Sequence, residues 1–110
     1  MIQEDKQLLL TDLCARLPYN VVVRCTDSDT DYKCFLTTDI LHEIQNGYEY
    51  YDYKPYLRPL SSITEEEKII ICHMNILSDI FDLFNAHNLD YRGLINKGLA
   101  IEAPEGMYRL

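Results

Sequence analysis

TEEEKIIICHMNILSDIFDLFNA, from Thr64 to Ala86, is the longest periodic stretch of the chain, and its reading sets the fold. Apolar residues fall at Ile69, Ile70, Met74, Ile76, Leu77, Ile80, Phe81 and Phe84, which cover a wide helical face. Lys68, Asn75, Asp79 and Asp82 mark a narrow polar face. Thr64 and Glu67 stand at capping-box spacing, where each side chain satisfies a free backbone N–H at a helix start. Glu65, Glu66 and Glu67 also sit at the positive end of the helix dipole. The pattern predicts one helix over residues 65–86, central to the core or to a homodimer interface.

Working outward, Leu9, Leu10, Leu13, Cys14 and Leu17 recur at helical spacing and predict a first helix over 5–17, stopped by Pro18. Val21, Val23 and Cys25 alternate in a β-branched run over 20–26. A polar turn at Asp27 to Asp31 leads to a second strand over 32–37. A short helix over 38–45 with Asn46-Gly47 as its stop is nearly balanced against a loop. A third strand over about 48–54 would be ended or held to an edge by Pro55. Asp90 can N-cap a last short helix through Lys97, with Gly98 as its left-handed stop, and a short strand can follow at Leu99 to Ala103. The expected fold is a single α+β domain over residues 1–110. A small antiparallel sheet of about three strands packs on the first and the long helix. Leu13, Leu17, Val21, Val23, Phe35, Ile70, Leu77, Phe81, Phe84 and Leu94 are the expected core.

Composition narrows the function. With 110 residues, 47% apolar and 25% charged, the chain is ordinary for one globular domain. The formal charge of −8 is spread along the chain and repels phosphate backbones, so direct nucleic-acid binding is not expected. No apolar run reaches membrane-spanning length and the start lacks a secretory pattern; a cytoplasmic protein is expected. The cysteines Cys14, Cys25, Cys34 and Cys72 contain no C-x-x-C; reduced thiols are expected, although Cys25 and Cys34 can face each other across the hairpin.

Several patterns approach a chemistry and stop short. Asp27, Asp29 and Asp31 resemble the start of a calcium loop, but Tyr32 and Thr38 stand where such a loop needs Gly and a bidentate Glu. Cys72 and His73, adjacent on a helix, diverge and do not share a metal. Neither a nucleophile motif nor a Gly-rich phosphate loop is present, and no cofactor or metal is expected. His87, Asp90, Tyr91 and Arg92 lie together at a helix junction. They are read either as caps and contacts or as an acid–base site of a small enzyme. Tyr48, Tyr50, Tyr51, Tyr53 and Tyr56 crowd within nine residues, the type of side chain enriched at binding surfaces. Arg58 beside them either pairs with an acid at the core rim or meets a partner. The expected binding residues are therefore Tyr50, Tyr51, Tyr53, Tyr56, Arg58, His87, Tyr91 and Arg92, with an unidentified protein as partner and a homodimer as the alternative.

Three blocks, LLLTDLCARLPYNV (8–21), KPYLRPLSSITEEE (54–67) and DYRGLINKGLAIEAPEGMY (90–108), resemble a family of small proteins encoded by anaerobic gut bacteria and by their phages and mobile elements. Such members carry two histidines where this chain reads Asn85-Ala86-His87-Asn88, so Asn88 departs from the pattern. The resemblance implies an accessory gene product acting inside a bacterial cell. It carries over no catalytic or binding residue.

Overall fold

A computed structural model describes residues 2–47 and 51–108. The chain is α+β, with helices packed on a mixed five-stranded sheet. Helix α1 spans Gln3–Arg16 and passes into a 3-10 turn, Leu17–Tyr19, with Pro18 at its start, where a missing N–H is harmless. Asn20 takes a left-handed conformation and turns the chain into β1, Val22–Thr26. β2, Asp31–Phe35, pairs antiparallel with β1 in the register Val23 to Cys34 and Cys25 to Tyr32. The Asp27 carboxylate closes the hairpin by accepting the N–H groups of Asp29 and Thr30 and the Thr30 hydroxyl. Those bonds hold its pKa below the usual carboxylate range. Helix α2, Thr38–Asn46, is capped by the Thr37 hydroxyl and stopped by the expected Gly47 at φ 69°, so the segment is a helix and not the loop it was nearly balanced against.

β3, Asp52–Pro59, pairs antiparallel with β1 through residues 52–55. Pro55 does not end it: the strand runs four residues further and Pro55 is buried. The proline is the last β3 residue in register with β1, so its missing N–H falls where the strand changes partners. Beyond it β3 pairs in parallel with two short strands, β4 (Leu89–Asp90) and β5 (Ile101–Glu102). The Leu57 carbonyl accepts from Ala103 while the Arg58 N–H donates to Asn88. These two groups belong to one peptide unit and point oppositely, which sets β4 and β5 on opposite edges of β3. The sheet is thus mixed and larger than the three antiparallel strands expected. Where β1 and β3 part, the Tyr108 hydroxyl accepts from the Val22 N–H at 2.8 Å and donates to the Tyr56 carbonyl at 2.7 Å.

The long helix is in fact two, α3 (Glu65–Cys72) and α4 (Leu77–Ala86). The capping box of Thr64 and Glu67 opens α3 as expected. His73 and Met74 then bond back to Ile70 and Ile71, tightening the last turn, and Ile76 is extended. No Pro or Gly marks the break. Its cause is tertiary: Glu67 ties α3 to β3, while the end of α4 is tied to α1. The last predicted helix is also absent. Asp90 lies in β4, and its carboxylate accepts the N–H groups of Leu94 and Ile95 to order a run of turns instead.

The core lies between α1, α2 and the sheet and includes Leu9, Leu13, Val21, Val23, Leu57, Leu94 and Leu99. Leu17 and Phe84 are half-buried. Ile70, Leu77 and Phe81 are exposed, contrary to the periodic reading. So is Phe35, because its register opposite Val22 puts it on the face away from Val21 and Val23.

Candidate functional site

The segment from Phe84 to Arg92, which joins α4 to β4, is gripped from two sides by buried charge. On one side is α1. Its inward stripe is Leu9, Asp12, Leu13 and Arg16, so a charged pair occupies positions that helical spacing gives to the core. Arg16 and Asp12 are both 0% exposed and bond twice, at 2.8 and 3.0 Å. Arg16 also donates to the Leu89 carbonyl at 2.7 Å and to the Phe84 carbonyl at 3.5 Å. Arg92 donates to Asp12 from the other direction at 3.0 Å. The two guanidinium groups lie 5.4 and 4.7 Å from the Tyr91 ring centre. A buried carboxylate so placed is fully paired, and the carbonyls at the end of α4 gain donors they would otherwise lack.

On the other side Arg58 of β3 forms a two-pronged pair with Glu67 of α3, at 2.7 and 2.9 Å. Arg58 also donates to the carbonyls of Ser62 and His87, at 3.0 and 3.4 Å. Glu67 accepts the Thr64 N–H at 2.9 Å and stands 2.7 Å from His87 Nδ1. Burial alone would raise the Glu67 carboxyl. The bonds from Arg58, Thr64 and His87 outweigh it and bring its pKa down to about 2. Because an ionised carboxylate only accepts, His87 donates to it from Nδ1.

The four junction residues do not converge. His87 faces Glu67, Asp90 faces the Leu94 and Ile95 amides, Tyr91 donates to Asn85 at 2.9 Å, and Arg92 faces Asp12. His87 also ends α4, its N–H bonding Leu83 at 2.9 Å. No shared point exists at which these four could act on one reacting atom, which leaves the acid–base reading without a geometry.

The tyrosines part company as well. Tyr48 and Tyr50 lie outside the described residues. Tyr53 and Tyr56 are each 7% exposed, so neither ring is a surface group. Tyr53 donates its hydroxyl to Glu43 of α2, and Tyr56 lies beneath Lys33, 5.3 Å from its ring centre. Tyr51 is half-buried and packs edge-on against Tyr32. Arg58 takes the core-rim role. Nothing in the sequence pattern marks Asp12 and Arg16. Their spacing of four is that of any surface helix pair, and only burial sets them apart.

Exposed apolar side chains gather elsewhere, along α3 and α4. Ile69 is 58% and Leu77 64% exposed, with Ile70, Ile76 and Phe81 beside them in sequence. The same two helices carry the exposed acids Glu65, Glu66, Asp79 and Asp82, and Lys68 is tied to Glu65 at 3.2 Å. Among the described residues no group of three His, Cys, Asp or Glu side chains is placed to hold a metal. Among the described residues no helix is long and apolar enough to cross a membrane.

Compared with known proteins, the chain matches no family model, no curated protein and no solved structure.

Proposed function

We propose that this protein is a non-catalytic interaction protein that docks a protein partner on the apolar face of α3 and α4. The observation that carries this is the exposed series Ile69, Ile70, Ile76, Leu77 and Phe81, which no element among the described residues covers. The exposed acids of the same two helices, Glu65, Glu66, Asp79 and Asp82, favour one occupant: a segment with an apolar stripe rimmed by Lys and Arg, such as a basic amphipathic helix. A second copy of the chain would bring the same acids to that face, which disfavours the homodimer. The resemblance to phage and mobile-element proteins supports an accessory, regulatory role inside a bacterial cytoplasm.

The test is titration of the ¹⁵N-labelled protein with an amphipathic Leu/Lys helical peptide and with its Leu/Glu counterpart. We expect the basic peptide alone to shift amides of α3 and α4, less strongly as salt rises. The variant Ile69→Glu/Leu77→Glu should lose this binding. The substitution makes the face more acidic, so purely electrostatic attraction would tighten instead. Tightening, or shifts centred away from α3 and α4, would overturn the reading. A dimer mass in light scattering would replace the proposed partner with a second copy.

A further inference from the structure

A second feature stands apart from the docking face, in the hairpin of β1 and β2. Cys25 and Cys34 bring their sulfurs to 3.4 Å, both as free thiols. The register sets Cys25 opposite Tyr32 and Cys34 opposite Val23, so the two cysteines are diagonal neighbours on one face of the hairpin. That face is the inward one: Val23 and Cys25 are fully buried, and Cys34 packs against the core from its rim. The other two cysteines, Cys14 of α1 and Cys72 of α3, are exposed.

β2 is the outer strand of the sheet, and among the described residues it pairs with β1 alone. Four of its five residues are exposed, and Cys34 is the exception. One side chain therefore anchors this strand to the core, and that side chain touches a second thiol. Joining the sulfurs asks them to approach from 3.4 Å to about 2 Å. A strand paired on one side only can make that shift without breaking a second ladder.

We propose that Cys25 and Cys34 are a reversible dithiol–disulfide pair, oxidised by a small-molecule disulfide, that fastens the edge strand β2 to β1. Cys34 reacts first, because it is half-buried whereas Cys25 is closed to solvent. Its thiolate attacks one sulfur of the small disulfide. A mixed disulfide forms on Cys34, the S–S bond of the reagent breaks and one small thiol leaves. The Cys25 sulfur, already in contact, then displaces the second small thiol. The two protons of the protein thiols end on the two released thiols, and the two electrons lost by the dithiol reduce the S–S bond of the reagent. Excess small thiol reverses both steps. In the reduced protein β2 is held by backbone bonds and one side chain; in the oxidised protein a covalent bond closes the segment 25–34.

The test uses the full chain with its exposed thiols replaced, Cys14→Ser/Cys72→Ser, treated with oxidised glutathione and read by intact mass and amide exchange. We expect a monomer lighter by two hydrogens with no glutathione attached, and recovery of both thiols on adding reduced glutathione. Amides of β2 should exchange about tenfold more slowly in the oxidised protein. In urea, at the same ratio of oxidised to reduced glutathione, the ratio of closed to open pair should fall about tenfold. With Cys25→Ala added, the reaction should stop with one glutathione on Cys34. A lasting glutathione adduct on the parent, a crosslinked dimer, unreacted thiols, unchanged exchange in β2, or equal closure in urea would overturn the proposal. Should Cys25→Ala fail to fold, the mass and exchange of the parent protein decide alone.

Discussion

The junction around His87 and the arm formed by α3 and α4 place their side chains in opposite ways. At the junction charges are inside: Asp12, Arg16, Arg58 and Glu67 are buried, and each is paired. On the arm apolar groups are outside, with Ile69 and Leu77 more than half exposed. Burying an ion pair gives little net stability over a well-packed apolar substitute, but leaving half of one behind is costly. The junction therefore behaves as a lock on geometry, fixing where α4 ends and β4 begins. The arm's exposed groups contribute little to folding, because they stay in water when the chain folds. One region holds the fold together without offering a surface; the other offers a surface that the fold does not need.

The sharpest way to break that comparison is to remove one member of the α1 pair. Arg16→Met leaves the Asp12 carboxylate buried with only Arg92, and frees the carbonyls of Leu89 and Phe84. A loss of about 3–5 kcal/mol in urea unfolding is expected. Asp12→Leu/Arg16→Met should recover most of it, whereas a double variant as unstable as the single would show that the pair itself supplies the stability.

Glu67→Gln comes next, at about 2–3 kcal/mol, since Gln keeps the shape and loses the charge that Arg58 and His87 face. The wild-type carboxyl is lowered from 4.5 to about 2. A depressed carboxylate contributes its full stability above its unfolded pKa, and that contribution is lost as pH falls through the folded value. Wild-type stability should therefore drop between about pH 4.5 and 2, and Glu67→Gln should flatten that part of the curve. An unchanged acid limb would place the acid sensitivity elsewhere. The smallest effect belongs to the arm: Ile69→Glu/Leu77→Glu should move stability by no more than about 0.5 kcal/mol per site while abolishing peptide binding. A large loss of stability would mean that the arm is packed in solution.

The same contrast governs what could be read in the sequence. The hairpin was legible because Val21, Val23 and Cys25 alternate; α2 was only half legible, since Asn46-Gly47 marked a stop but the segment before it read almost equally as a loop. The capping box placed the start of α3 to the residue. Periodicity then misled, since a helical apolar face reports only that a helix is amphipathic and not whether anything covers it. β5 falls inside the short strand expected at Leu99 to Ala103; β4 has two residues, too few to alternate, and the parallel pairing of both with β3 spans long sequence separations. Arg58 was legible as a choice of two roles, and Glu67 decides it. The Cys25 and Cys34 sulfurs do meet across the hairpin, 3.4 Å apart, as free thiols.

The Tyr108 hydroxyl fastens Val22 to Tyr56 from 86 and 52 positions away in sequence. A ribosome makes Val22 early and Tyr108 late. The β1–β3 pairing through residues 52–55 can form before Tyr108 is made, whereas the gap between Val22 and Tyr56 stays unbridged until Tyr108 has left the ribosome. Completion of this fold is an event timed by translation, and a chain stalled shortly before that residue would expose its Val22 amide to exchange with solvent.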